Sequence, residues 1–175
     1  MINEITVRPK AKNKKAHVIC LLFLLLAAAV TVVYLMVDTY RGAVGLGAAA
    51  MIAAAIYVYT KYIGNEYSYD VVVSNGTPLF LVRQTVGRRS TLLLNIHLSS
   101  IREVRRESRD ERRMHKAEAD VRRYVFTPTV FPSEVYRIIS AGIGERCEII
   151  IECTEDFASL LMRYAEEARA AVEEE

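Results

Sequence analysis

The 175 residues contain no tryptophan, and only three cysteines, four prolines and three histidines. Each scarcity excludes something. His17, His97 and His115 are too scattered for a metal site, and no CxxC pair occurs, so zinc and dithiol redox motifs lack their ligands. Cys147 and Cys153 are six residues apart. In an extended strand they share a face but lie roughly 20 Å from one another, while a disulfide needs Cα atoms within about 7 Å. They are expected as small core residues. Gly142 and Gly144 form a lone glycine pair, without a phosphate-cradling loop. No Ser–His–Asp or Cys–His set offers itself. The reading therefore points to no enzyme, no metal and no cofactor, and keeps an enzyme of unstated type only as a contrast.

Charge is missing from two stretches near the N-terminus. Val18–Val37 carries none over about 20 residues, enough for a helix to cross a hydrocarbon core of about 30 Å. Gly42–Tyr59 also carries none, and is rich in Ala and Gly. The polar turn Asp38-Thr39-Tyr40-Arg41 between them suits only a tight helical hairpin. A cleaved signal peptide is the rival, but the first run exceeds an ordinary h-region and a second run follows directly. With no ionisable residue in either span, a transport path has no support.

Charge is then placed unevenly. Residues 1–65 hold Arg8, Lys10, Lys12, Lys14, Lys15, Arg41 and Lys61 against Glu4 and Asp38, and the rest holds 16 basic and 19 acidic residues. The acidic balance of residues 66–175 gives no support to nucleic-acid binding. Basic flanks and an even span count put both termini in the cytoplasm of a multi-pass cell-membrane protein. Tyr34, Tyr40, Tyr57, Tyr59 and Tyr62 sit where aromatic belts form. Small residues four apart in the second span (Ala43 and Gly47, Gly45 and Ala49, Ala50 and Ala54) suit close packing. Packing on Ala27, Ala28 and Ala29 of the first span is favoured over a homo-oligomer through the second.

From Tyr67 the pattern has period two. Strands are expected at Tyr67–Val73, Leu79–Val86, Thr91–Ile96, Ile101–Glu107, Val121–Phe126, Glu134–Ser140 and Cys147–Cys153, with a helical turn starting at Ser133-Glu134 as the alternative for the sixth. Turns fall at Ser74–Pro78 and Gly87–Ser90, with an irregular link at His97–Ser100. Arg109–Ala117 reads as an exposed loop closing a hairpin. Thr154 is a helix N-cap, followed by Glu155 and Asp156 in the first turn. Phe157, Leu160, Leu161, Tyr164 and Ala168 then form an apolar stripe, with Arg163, Glu166 and Arg169 opposite.

Seven strands and a C-terminal amphipathic helix, an α+β order, resemble a pleckstrin-homology (PH) domain. With two preceding spans and the run Leu94-Asn95-Ile96-His97-Leu98-Ser99-Ser100-Ile101-Arg102-Glu103-Val104, the chain is similar to bacterial PH-like membrane proteins. Ile149–Cys153 followed by Phe157 and Leu161 looks like that family's closing strand and helix. The resemblance covers roughly Tyr67–Ala168. It implies a PH-like seven-stranded antiparallel barrel or sandwich acting as a binding or scaffold module. The organisation is then a basic cytoplasmic segment at 1–16, two spans within 17–62, and a cytoplasmic PH-like domain at 66–173.

One basic cluster stands out: Arg88 and Arg89, then Arg102, Arg105, Arg106, Arg109, Arg112, Arg113, Lys116, Arg122 and Arg123, interleaved with Glu103, Glu107, Asp110, Glu111, Glu118 and Asp120. As a solvated hairpin, Arg102–Arg123 would form cross-strand ion pairs. As a contact surface, with Arg88, Arg89, Arg105, Arg109, Arg112 and Arg113 as its residues, it would touch anionic lipid head groups or an unknown protein partner. Phosphoinositide-binding PH domains place basic residues in the first hairpin. Here Ser74–Pro78 has none, and Arg83 stands alone.

Overall fold

The structure, a computed structural model, describes residues 4–9, 14–36, 41–108, 111, 121–141 and 146–173. It is α+β, in two compact units: Ala11–Asn65, and Met1–Lys10 together with Glu66–Glu175.

The first unit holds α1 (Lys14–Met36) and α2 (Arg41–Val58), extended by a π-helical turn at Tyr59–Ile63. Both helices are long and apolar enough to cross a membrane. Leucines and valines point outward along α1, with Leu35 and Met36 among the most exposed. Small residues make the contact between the helices. Ala16, Ala27 and Ala55 are buried, and Cys20 donates from Sγ to the Ala55 carbonyl at 3.6 Å. Gly45 lies against the Tyr34 ring and Gly47 against Val30. Close backbone approach at small residues is how helices pair where no hydrophobic drive separates lipid from protein. Of the three alanines expected in this contact only Ala27 is buried; Ala28 and Ala29 point away. Lys61, in the π-helical turn, donates to the Tyr57 hydroxyl at 3.0 Å and lies over the Tyr57 and Tyr62 rings.

The second unit has two four-stranded sheets. Sheet A is an antiparallel array, β1 (Ile5–Val7), β2 (Asn65–Ser74), β3 (Thr77–Val86) and β4 (Arg89–His97), in that order. Asn75 and Gly76 turn β2 into β3 with φ of +52° and +79°, the conformation that makes Asn-Gly the strongest two-residue hairpin signal. Sheet B runs β5 (Ile101–Arg106), β7 (Val135–Ala141), β8 (Arg146–Glu152), β6 (Arg122–Phe126). The final helix, α3 (Glu155–Glu173), starts as expected: the Phe157 N–H donates to Thr154 Oγ1 at 3.4 Å.

Alternation on each strand fixes what meets in the middle. Tyr69, Val71, Phe80 and Val82 from sheet A join Ile138, Ile149 and Ile151 from sheet B, closed by Phe157, Leu161, Tyr164, Ala165 and Ala168 of α3. The Tyr69 hydroxyl ties the sheets, donating to the Phe126 carbonyl at 2.6 Å and accepting from the Glu152 N–H at 3.4 Å. Ile5 and Val7 of β1 also pack on this core.

Three expectations are corrected. The sheets do not form one closed, wholly antiparallel barrel, because they remain separate and β6 pairs in parallel with β8. An eighth strand, β1, lies inside the segment read as a basic flank, paired Ile5 to Val71 and Val7 to Tyr69. The strands on either side of residues 109–120 are not hairpin partners, since β5 and β6 occupy opposite edges of sheet B.

Candidate functional site

The described basic residues among those singled out above sit on different elements. Arg88 and Arg89 are exposed at the β3–β4 turn. Arg105 is exposed on edge strand β5, with its Nε 3.8 Å from Glu103. Arg109, Arg112 and Arg113 lie outside the described residues. Arg83, which looked isolated, meets the buried Asp70 carboxylate at 3.1 Å.

The interior of sheet B holds what the sequence did not disclose. Arg137, in the central strand β7, is 2% exposed, yet it is a charged side chain. Its guanidinium bonds the Glu107 carboxylate just beyond β5 and lies 3.7 Å from Glu148 on β8. Arg123, on β6, reaches the same Glu107 oxygen at 3.8 Å. Register explains the meeting, because Arg137 pairs with Arg105 on one side and Ile150 on the other, so its side chain leaves the face opposite Ile138. Four charges from four chain segments, two of each sign, thus cross-link the sheet. Beside exposed pairs such as Arg105 with Glu103, the protein thus has buried pairs through the sheet centre, with planar guanidinium groups suited to shared carboxylates.

Ser108 and Glu111 form a reciprocal capping pair. The Ser108 N–H donates to Glu111 Oε2 at 2.7 Å, and the Glu111 N–H donates to Ser108 Oγ at 3.1 Å. These bonds, the backbone one first, hold the Glu111 carboxyl below the usual carboxylate range. Ser-x-x-Glu is the capping-box pattern, and the sequence carries it at Ser108-Arg109-Asp110-Glu111; the rest of the loop expected at Arg109–Ala117 lies outside the described residues.

An open cleft of about 380 Å³ lies where β5 and β7 meet α3. Val104, Tyr136, Ala158 and Met162 supply its apolar floor, and Arg106 and Glu166 stand among its charged lining. Cys153, at the sheet end of α3, is buried, and burial pushes its thiol from 9.0 up to about 12. Because this pKa is raised in the folded state, the stability it contributes is complete below pH 9.0 and is lost as pH rises towards 12. Iodoacetamide at pH 9.0 should therefore modify half-buried Cys147 well before Cys153. Equal rates in the folded protein would contradict the placement of Cys153. Among the described residues, no three His, Cys, Asp or Glu side chains are placed to hold a metal ion.

Comparison with protein-family models, with curated proteins and with solved structures gives no match to the chain.

Proposed function

We propose that the chain is a membrane-anchored, non-enzymatic interaction module of PH-like type, with its two helices crossing the cell membrane as a hairpin and its sandwich in the cytoplasm. The observation that carries this reading is the pairing of β1 with β2. β1 precedes the first helix and β2 follows the second. Paired strands lie about 4.8 Å apart, and a hydrocarbon core is about 30 Å thick. Helices that span must therefore return the chain to the side it left. The basic residues before α1 and after α2 favour the cytoplasmic side.

An impermeant thiol reagent on intact cells tests the topology. Thr39→Cys is expected to label and Ser108→Cys to remain unlabelled until the membrane is opened. The reverse pattern would overturn the reading.

The cleft beside α3 is the surface offered to a protein partner, since it combines an apolar floor with charges of both signs. A photo-crosslinker at Ser159, on the cleft wall, should give a discrete adduct in native membranes, and one at Asn95, on edge strand β4, should not. Adducts of equal yield at both sites, or none at Ser159, would count against the cleft. Lipid sensing through Arg102–Arg123 has less behind it, because β5 and β6 are at opposite edges and Arg123 turns to Glu107.

A further inference from the structure

We infer that the β3–β4 turn, with Arg88 and Arg89 at its tip and Val86 and Leu92 on its flanks, is a membrane-contact site that binds the anionic head groups of the leaflet in which the helices are anchored. The inference rests on the two-span reading and adds a binding site to it.

Chain continuity places the turn. β2 begins at Asn65, one residue after Gly64, which closes the π-helical end of the second apolar helix. β2 and β3 each have ten residues and are joined by the two-residue turn Asn75-Gly76. Equal lengths and a tight turn bring the end of β3 back beside Asn65. β3 then pairs with β4 from Val86↔Arg89 onward. With strands about 4.8 Å apart, the Gly87-Arg88 turn lies roughly 5–10 Å from the point where the chain leaves the helix. Strand spacing fixes this separation whatever tilt the sandwich adopts. The Asn75-Gly76 turn is at the other end of β2, roughly 30 Å away.

The chemistry of the two ends differs in the same sense. The distal turn, Ser74-Asn75-Gly76-Thr77-Pro78, has no charged residue. The proximal end has Arg88 and Arg89, joined by Arg8, which follows β1 as that strand runs towards the same end. Glu66, near the start of β2, is acidic and exposed, and Arg83 is taken up by Asp70. By register Val86 and Leu92 lie on opposite faces of the hairpin, each 51% exposed, and Leu93 beside the bulge is 39% exposed; none of the three belongs to the sandwich core. Exposed apolar residues beside arginines match a head-group boundary, where the arginines meet phosphate and the aliphatic groups enter the acyl margin. At this separation from the anchor, the arginines lie within about one Debye length of the leaflet charge.

The absence of tryptophan makes a clean test available. The full chain carrying Val86→Trp, or Ser74→Trp at the distal turn, is reconstituted into phosphatidylcholine vesicles with or without phosphatidylserine. A nitroxide on the phosphatidylcholine head group serves as quencher. Quenching of the Val86→Trp reporter should be stronger with phosphatidylserine and should fall to the neutral-vesicle level in high salt. Arg88→Glu with Arg89→Glu should do the same, and the neutral pair Arg88→Gln with Arg89→Gln should fall between. The Ser74→Trp reporter should stay weakly quenched throughout. Quenching at Val86→Trp that ignores phosphatidylserine, salt and both variant pairs would overturn the inference. Release of the protein from the vesicles by alkaline carbonate would instead overturn the membrane-span reading on which it rests.

Discussion

Replacing Glu107 by Ala is expected to cost the sandwich about 3–5 kcal/mol, because it strips a buried arginine of its principal counter-charge. Glu107 and Arg137 have side chains 1% and 2% exposed, so water cannot take over the lost partner. Glu148 remains at 3.7 Å, but it contacts the other terminal nitrogen of the guanidinium and already serves in the same network. Removing both charges, as Glu107→Leu with Arg137→Met, should recover most of the loss, since well-packed apolar replacements of a buried pair are often neutral or stabilising. Arg123 then loses its partner too, but it is 24% exposed and can turn to solvent. Hydrogen exchange of the β7 and β8 amides in the reconstituted full chain reads the effect. A single variant as protected as the parent, or a double variant worse than the single, would contradict a buried pair whose cost is desolvation.

Leu161→Asp is expected to have an effect of similar or larger size. Leu161 is fully buried where α3 meets both sheets, in one cluster with Phe157, Ile149 and Ile151. The substitution removes an apolar side chain from the centre of the core and puts a carboxylate in its place. Truncation of a buried leucine alone costs about 2–5 kcal/mol, and an unpaired buried charge adds several more. Burial raises the pKa of the introduced carboxyl, so the penalty should shrink as pH falls and the group takes up a proton. Ser159→Asp, on the exposed side of the same helix, should change stability by less than about 0.5 kcal/mol. Cooperative unfolding of both variants at equal denaturant concentration would mean that α3 does not close the core.

Much of this architecture was legible because it is periodic. Tyr69, Val71, Phe80, Val82, Ile149 and Ile151 recur at every second position of their strands, and each lies in the core. Phe157, Leu161, Tyr164 and Ala168 repeat at helical spacing, and all four are buried. Asn75-Gly76 marked its turn by backbone chemistry alone. β1 was not legible, because Ile5-Thr6-Val7 is three residues between charged neighbours and gains its order from β2, more than 60 residues away in the chain. The parallel pairing of β6 with β8 likewise leaves no local trace, since alternation gives a strand's faces but not its neighbours. Arg137 shows the same limit at the site. Between Tyr136 and Ile138 it reads as an outward residue of a half-buried strand, and only the placement of Glu107 and Glu148 shows that it is inside.

In the proposed topology the segment before the first helix and the domain after the second share one side of the membrane, joined strand to strand. Directly opposed residues in antiparallel strands have Cα atoms about 4.5–5.5 Å apart, within the range of a disulfide. Ile5 and Val71 are such a pair. In membranes from cells producing the full chain with Ile5→Cys and Val71→Cys, mild oxidation is expected to give an intramolecular disulfide between those positions, recovered as one linked peptide pair. Ile5→Cys with Val73→Cys, off register by two residues, is expected to give much less. Cross-links only between separate chains, or equal yields from the two pairs, would contradict the joined arrangement.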